Sequence, residues 1–363
     1  MVRKGENIYK RKDGRWEGRY IKGRKRDGSV IYGYVYNKTY TDLKERLLRM
    51  KALHAHNYAF KTIIYQGTLN DWTTCWLKEV QRQLKPSTYA SYTNKMIKHI
   101  LPSLGDIPLQ SITTAKINEW IKQLEGHLSP NSVRIVYQVL VSCCTAAVKR
   151  ELISDNPCKY VVLPKKAPNN INAITSQEQK KLKEKAAKHP KGLAIILALE
   201  TGMRIGEIAG LKWKDIDFSI NTLTVQRTIQ RIQTSNDINK KTQIIEGPPK
   251  SITSKRTIPL SKNLSKLLTK QKQTSDGEFV LGGNKPAEPR LISVWLKKIC
   301  QSIHFTTIRF HQLRHSFATR CLEKGVNIAT ISALLGHHST KMTLDIYVSS
   351  FMTEKRKAIS LIS

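Results

Sequence analysis

The sequence predicts a multidomain protein in three parts. These are a small N-terminal β-sheet with one helix, an all-α helical segment, and a mainly α (α+β) segment with a small antiparallel sheet. Three observations carry this expectation. Residues 1–66 alternate large apolar and polar side chains around turn residues, residues 68 to about 160 show helical apolar spacing punctuated by Ser, Thr and Pro, and helix and strand patterns mix from 172 onward. A chain of 363 residues is long enough for two or three buried cores.

The first part opens with Ile8 to Lys12 and an Asp13-Gly14 turn, where glycine takes a positive φ without steric cost. Arg15 to Ile21 alternates as a half-exposed strand does, a basic loop runs from Lys22 to Arg26, and Val30 to Tyr36 forms a third strand with tyrosines at 32, 34 and 36 on one face. Those tyrosines, with Trp16 and Tyr20, read as the core of the sheet. A helix follows from Thr41, as N-cap, to about Asn57, with Asp42 and Glu45 in its first turn. Residues 1–66 hold 17 Lys and Arg against 6 Asp and Glu. A three-stranded sheet with one charged face is narrow enough to enter a major groove, which makes Arg15, Arg19, Lys22, Arg24, Lys25 and Arg26 candidate DNA contacts.

The second part, 68–163, reads as four helices. Leu69 to Gln83 carries Trp72, Trp76, Leu77 and Val80 as an apolar stripe. Ser87 caps a helix from Thr88 to Ile100 that Pro102 closes, and Thr113 or Thr114 caps another through Leu124. Ser129-Pro130 opens the last, with proline in the first turn where its missing N–H costs nothing. Basic residues scattered along these helices, Lys85 and Lys95 among them, suit a clamp on one side of a duplex. Residues 163–172, rich in Pro, Lys and Asn, have linker composition.

In the third part, 172–363, Ser176 caps a helix to Lys188, another starts at Gly192, and Thr201-Gly202-Met203-Arg204-Ile205-Gly206-Glu207 follows. The glycines permit close backbone approach beside Arg204, and Glu207 stands at helical distance to orient its guanidinium. Asp217 to Arg231 reads as a strand, Gln233 to Pro249 as a long polar loop, and Lys250 to Leu260 ends in a second strand. An ammonium at Lys250 would suit proton donation to a leaving oxygen. His311, Arg314 and His315, then His337 and Tyr347, place phosphate ligands, proton carriers and one nucleophilic hydroxyl within a short stretch.

Charge narrows the function classes. Lys and Arg number 62 against 27 Asp and Glu, a net charge of +35, which calls for a polyanionic partner through phosphate neutralisation and counterion release. The longest apolar run, Leu193 to Leu199, is too short to span a bilayer, and the polar start of the chain is no signal peptide, so no membrane partner is expected. The six cysteines form no C-x-x-C pair, which predicts reduced thiols in a cytoplasm, and the His54-x-His56 pair lacks companion ligands, so no metal or other cofactor is expected.

The stretches TGMRIGEI, PPKSITSKRTIPL, HQLRH and LLGHHS, with Tyr347, resemble the catalytic set of the tyrosine recombinases, the lambda-integrase class of strand-exchange enzymes. The resemblance is most specific over 172–350. It implies Arg204, Lys250, His311, Arg314, His337 and Tyr347 as the catalytic residues, with Glu207 and His315 supporting them. The 68–163 segment is similar to the family's core-site-binding domain, and residues 1–66 to the arm-site-binding domains of phage and conjugative-transposon integrases. Tyr347 lies ten residues after His337, where many members have nine.

The resemblance implies a site-specific integrase that cleaves DNA through a 3′-phosphotyrosyl link and integrates or excises a mobile element. Because that link preserves the bond energy, neither ATP nor a metal is required. The implied partners are double-stranded DNA at core and arm attachment sites, further protomers in a tetramer, and accessory DNA-bending or excision factors, in the cytoplasm of a bacterial host. The tail, Phe351 to Ser363, is similar to segments that dock on a neighbouring protomer. Two other functions are compatible with the same residues: a DNA-binding architectural or regulatory protein with a decayed recombinase domain, and a topoisomerase-like nicking and closing enzyme.

Overall fold

A computed structural model describes residues 7–24, 29–58, 65–167, 173–233, 242–249, 252–305, 308–337, 339, 344 and 359, without the side chains of Arg24, residues 55–58 and Ile252. The chain divides into two compact units, one of residues 1–82 and 95–166, the other of residues 83–94 and 167–363.

In the first unit, strands β1 (Ile8–Lys10), β2 (Trp16–Arg24) and β3 (Val30–Asn37) form an antiparallel sheet in that order, with a bulge between Ile21 and Gly23. Helix α1 (Tyr40–Tyr58) begins two residues earlier than Thr41 as N-cap would allow, because Thr39 Oγ1 accepts the Asp42 amide at 3.3 Å. The core of this sheet and helix is Ile8, Tyr20, Val35, Leu43 and Leu47. Of the aromatic residues expected inside, only Tyr20 is buried and Trp16 packs at the edge. Tyr32, Tyr34 and Tyr36 lie on the outer face at 41%, 49% and 39% exposure. The strand alternates as expected, but α1 covers the opposite face, which leaves these rings to arginines: Arg19 sits over Tyr32 at 4.3 Å and Arg15 over Tyr36 at 5.9 Å.

The helical part comprises α2 (Leu69–Gln81), α3 (Pro86–Lys95), α4 (Leu101–Leu104), α5 (Thr114–Glu125) and α6 (Pro130–Lys149), of which α3 up to Asn94 belongs to the other unit. Pro102 does not close the second helix as expected. A π-helical turn, Met96–Ile100, carries the chain into α4, in which Pro102 is the second residue. Ser129 caps α6 through the Ser132 amide, as its position before Pro130 predicts. Among the described residues α6 alone is long and apolar enough to cross a membrane, yet eight of its side chains, from Val133 to Ala147, are buried in the bundle. Trp72 and Trp120 tie the bundle together by donating to the carbonyls of Cys143 (3.1 Å) and His99 (2.9 Å).

The second unit centres on α8 (Leu193–Thr201), apolar nearly all round and buried accordingly, between α7 (Ser176–Ala187) and α12 (Phe310–Glu323). The α7 cap is Thr175, not Ser176, because Thr175 and Glu178 form a reciprocal capping box. After the short helix α9 (Ile205–Ala209), β4 (Ile216–Asp217), β5 (Thr222–Val225) and β8 (Arg256–Pro259) make one antiparallel sheet. The expected single strand over 217–231 is thus broken into the end of β4, β5 and β6 (Thr228–Gln233), and β6 lies in a different sheet from the other two. The expected loop over 233–249 contains β7 (Thr242–Gly247), paired with β6 from Thr228↔Gly247 to Gln233↔Thr242. Neither TIQRIQ nor TQIIEG keeps a clean period of two, and such mostly polar stretches read as loop when a partner strand is not known. Helices α10 (Lys262–Gln273), α11 (Pro289–Gln301) and α13 (Ile328–Leu335) complete the unit.

Candidate active site

The site forms where α8, α9, α12 and α13 present their ends and flanks to one another. Helix α8 stops at Gly202, which takes a left-handed φ of 65°, and an added Cβ there would fall 2.6 Å from Phe317 Cδ1 and 2.7 Å from Leu335 Cδ2. Gly206 brings α9 against β6, since a Cβ would lie 2.6 Å from the Ile229 carbonyl oxygen. The two glycines that flank Arg204 in sequence therefore do permit the close approach expected of them.

Arg204 precedes α9 and Glu207 stands in the first turn of that helix. The carboxylate accepts the Arg204 amide on Oε2 at 2.9 Å and Arg204 Nη1 on Oε1 at 2.7 Å. This is no surface ion pair: Glu207 is 3% exposed, and its Oε2 also accepts Arg256 Nη2 at 2.9 Å. Burial alone would raise the Glu207 pKa, but the charges of Arg256 and Arg204 outweigh it and hold the carboxyl below its ordinary range. Arg204 keeps 30% of its side chain exposed.

Helix α12 supplies His311, Arg314 and His315 on one flank. Arg314 is buried, and its Nη1 and Nη2 donate to the carbonyls of Gly202 (2.8 Å) and Leu335 (2.7 Å), which fixes the plane of the guanidinium. Burial and the neighbouring Arg204 push its pKa down to about 9, so it stays cationic at neutral pH. His311 and His315 meet edge to face at 4.7 Å. Both ring nitrogens of His315 are buried and unpartnered, and burial, then His311 and Arg314, push its pKa down to about 4.

His337 follows the left-handed Gly336 that ends α13, and Arg204 Nη2 reaches the Gly336 carbonyl at 3.5 Å. Desolvation, then the charges of Arg314, Arg204 and Arg256, push His337 down to about 4. Desolvation and the same two charges, Arg314 before Arg204, hold His311 below its ordinary value. At neutral pH the imidazoles of His311 and His337 are therefore neutral, each able to give one proton and accept one beside two guanidiniums.

Six of the eight residues expected at the site, Arg204, Glu207, His311, Arg314, His315 and His337, thus share one network of bonds and fields. Lys250 and Tyr347 lie outside the described residues, as do Lys25 and Arg26, the side chain of Arg24, and the tail from 351 apart from Ile359. Arg15 and Lys22 are exposed on the N-terminal sheet, and Arg19 is half-buried against Tyr32. Lys85 is exposed, while Lys95 is half-buried and its pKa is lowered by that burial.

One member of the network was not anticipated. Arg256 is 9% exposed and belongs to β8, whose residues alternate buried and exposed. A cation at an inward position of a two-residue period, in register with Ile258, was the available signal.

Chemically, two fixed guanidiniums offer paired donors to the non-bridging oxygens of a phosphodiester, where charge builds during in-line attack. The model of the phage integrase family matches residues 162–354, and that of the phage integrase N-terminal SAM-like domain matches residues 68–125. A XerC-like tyrosine recombinase of Caldanaerobacter subterraneus subsp. tengcongensis is 28% identical, with 94% of each chain covered. The ICEBs1 integrase of Bacillus subtilis is 26% identical over 84% of this chain and 83% of its own. Among solved structures, the Tn1549 transposon integrase in complex with a circular intermediate DNA superposes with a TM-score of 0.67 at 20% identity, covering 82% of this chain and all of the other. A lambda integrase tetramer bound to a Holliday junction gives 0.61 at 22% identity, covering 95% and 96%. Both likenesses concern the fold.

Proposed function

The chain belongs to the phage integrase family and is a site-specific DNA recombinase of the tyrosine class, and we propose that it cuts and rejoins DNA through a 3′-phosphotyrosyl bond to Tyr347. The observation that carries this reading is the convergence of Arg204 and Arg314 on the carbonyls around the α13 end, with a neutral His311 and a neutral His337 beside them. In the reading, Arg204 and Arg314 hold the non-bridging oxygens of the scissile phosphate. The Tyr347 oxygen attacks phosphorus while its proton passes to His311, His337 donates to a non-bridging oxygen, and Lys250 protonates the departing 5′ oxygen. The 5′-hydroxyl of a partner strand then attacks the phosphorus and gives its proton to Lys250 while His311 returns the first proton to the departing Tyr347 oxygen, and two such exchanges pass through a Holliday junction. The neutral state of His311 supports its role, because only a neutral imidazole can accept the phenolic proton.

The domain roles belong to the same proposal. Residues 172–363 carry the chemistry, 68–163 bind the core site, and 1–66 bind an arm site through the outer face of the three-stranded sheet, where Arg15, Arg19 and the three exposed tyrosines stand. The working assembly is a tetramer on paired core sites of a mobile element in a bacterial cytoplasm, with DNA-bending or excision factors as accessory partners. The net charge of +35 supports the DNA partner.

The test is a nicked suicide duplex built from an end of the element. The wild-type chain should trap a covalent protein–DNA adduct that Tyr347→Phe does not form. An undiminished adduct in that variant would reject Tyr347, and no adduct with the wild type would favour a binding-only protein. Removing residues 1–66 should abolish arm-site binding and spare cleavage; unchanged arm affinity would reject the assignment of that segment.

A further inference from the structure

Helix α13 ends at Leu335, and the last carbonyls of a helix have no donor within it. Three arginines meet them. Arg256 Nε donates to Leu334 O, Arg314 Nη2 to Leu335 O at 2.7 Å, and Arg204 Nη2 to Gly336 O at 3.5 Å. Arg204 and Arg314 are the phosphate ligands of the proposed mechanism. Arg256 has no such freedom, for its Nη1 donates to Ser254 O at 3.0 Å and its Nη2 to Glu207 Oε2 at 2.9 Å.

We infer that Arg256 is a positioning residue for DNA cleavage: it grips Glu207 on one side and the Leu334 carbonyl on the other, and so sets Arg204 and His337 in register. The inference rests on the phosphate-clamp reading of Arg204 and Arg314. Its physical ground is the cost of the arrangement. Arg204 and Arg256 both pair with the single carboxylate of Glu207, Arg314 lies within its field, and burying an ion costs several kcal/mol unless it is fully paired. An apolar residue at this inward position of β8 would join strand to helix without adding a third like charge.

What only the guanidinium supplies is three bonds in fixed directions, to β8's own approach, to α9 and to α13. By occupying Glu207 Oε2, Arg256 also limits how far the carboxylate can take Arg204. Without it, Glu207 Oε2 keeps only the Arg204 amide, and the carboxylate can turn further toward the Arg204 guanidinium and draw that fork away from the phosphate. The Gly336 turn is held in the same way, since a Cβ there would lie 3.1 Å from Arg256 Cδ and Nη1, and the next residue is His337.

The experiment compares single-turnover cleavage of two suicide duplexes by the full chain, one with an ordinary scissile phosphate and one with an uncharged methylphosphonate there. Arg256→Lys keeps the charge but cannot make the three bonds. It should cleave the ordinary duplex roughly 10- to 100-fold more slowly than wild type, the scale of a small misplacement of reacting groups. On the methylphosphonate, whose oxygen carries no charge for Arg204 to meet, the deficit should shrink to under about threefold. The ratio of the two deficits does not depend on the fraction of folded protein, so a less stable variant still gives an answer, and Arg256→Gln supplies an independent one. An equal deficit on both duplexes means a merely structural role and overturns the inference, as does no deficit on either. Absence of an adduct with the wild type on the ordinary duplex instead overturns the phosphotyrosine reading on which the inference stands.

Discussion

Replacing Glu207 by Gln tests whether charge holds the site together. The substitution keeps the shape but removes the carboxylate that faces Arg204, Arg256 and, through its field, Arg314. An amide offers one acceptor oxygen where two were used, and turns an N–H₂ toward a guanidinium. Breaking a buried ion pair costs about 3–5 kcal/mol because the surviving charge is left uncompensated. Arg204 is 30% exposed and its share is screened by solvent, so we expect the lower end, about 3 kcal/mol, resting mainly on Arg256. For a unit of this size that corresponds to a melting point roughly 6–12 °C lower, measured by circular dichroism at pH 7.

The pH dependence separates charge from packing. The folded-state pKa of Glu207 is depressed, so its stabilisation is fully present above the unfolded carboxyl pKa of about 4.3 and is lost as pH falls through the lower folded value. The gap between wild type and Glu207→Gln should therefore stay constant from pH 8 to 6 and narrow below about pH 4.3. A gap that holds or widens in acid, or one under about 1 kcal/mol at pH 7, would refute the view that Glu207 acts as a buried counterion.

Two further predictions concern the surroundings of the same network. His315 titrates near 4 when folded and near 6.5 when unfolded, so the unfolded chain gains a proton first and stability is lost as pH falls between those values; His315→Leu should remove up to about 3 kcal/mol of that loss, read from urea midpoints at pH 6.5, 5.5 and 4.5, and parallel curves would contradict it. Gly202→Ala combines a left-handed backbone with contacts of 2.6 and 2.7 Å to Phe317 and Leu335, and should cost about 2–4 kcal/mol in thermal unfolding, with loss of the suicide-substrate adduct because the Gly202 carbonyl holds Arg314. A variant with wild-type melting would show that the α8 end is free to relax.

What the sequence by itself determined has causes within a few residues. The Asp13-Gly14 turn, the Ser129-Pro130 start of α6, the stripe of Trp72 and Trp76 and the Arg204–Glu207 pair all follow from backbone periods and caps that act over about one turn. The residue types of the site were legible for the same reason, since phosphate chemistry requires arginines, imidazoles and a hydroxyl wherever the chain puts them.

Tertiary structure alone decided which cations are spent and which remain open. Arg256 is committed to Glu207, 49 residues away, and to Leu334, 78 away, whereas Arg204 reaches across 132 residues and keeps an exposed edge. Alternation in β3 made two faces but could not say which one α1 would cover, so Tyr32, Tyr34 and Tyr36 fell outside, and β7 became a strand only because β6 lies beside it. A guanidinium has the same charge and donors in any sequence context. Whether it binds substrate or holds the site in place depends on the carbonyls and carboxylates that packing brings to it.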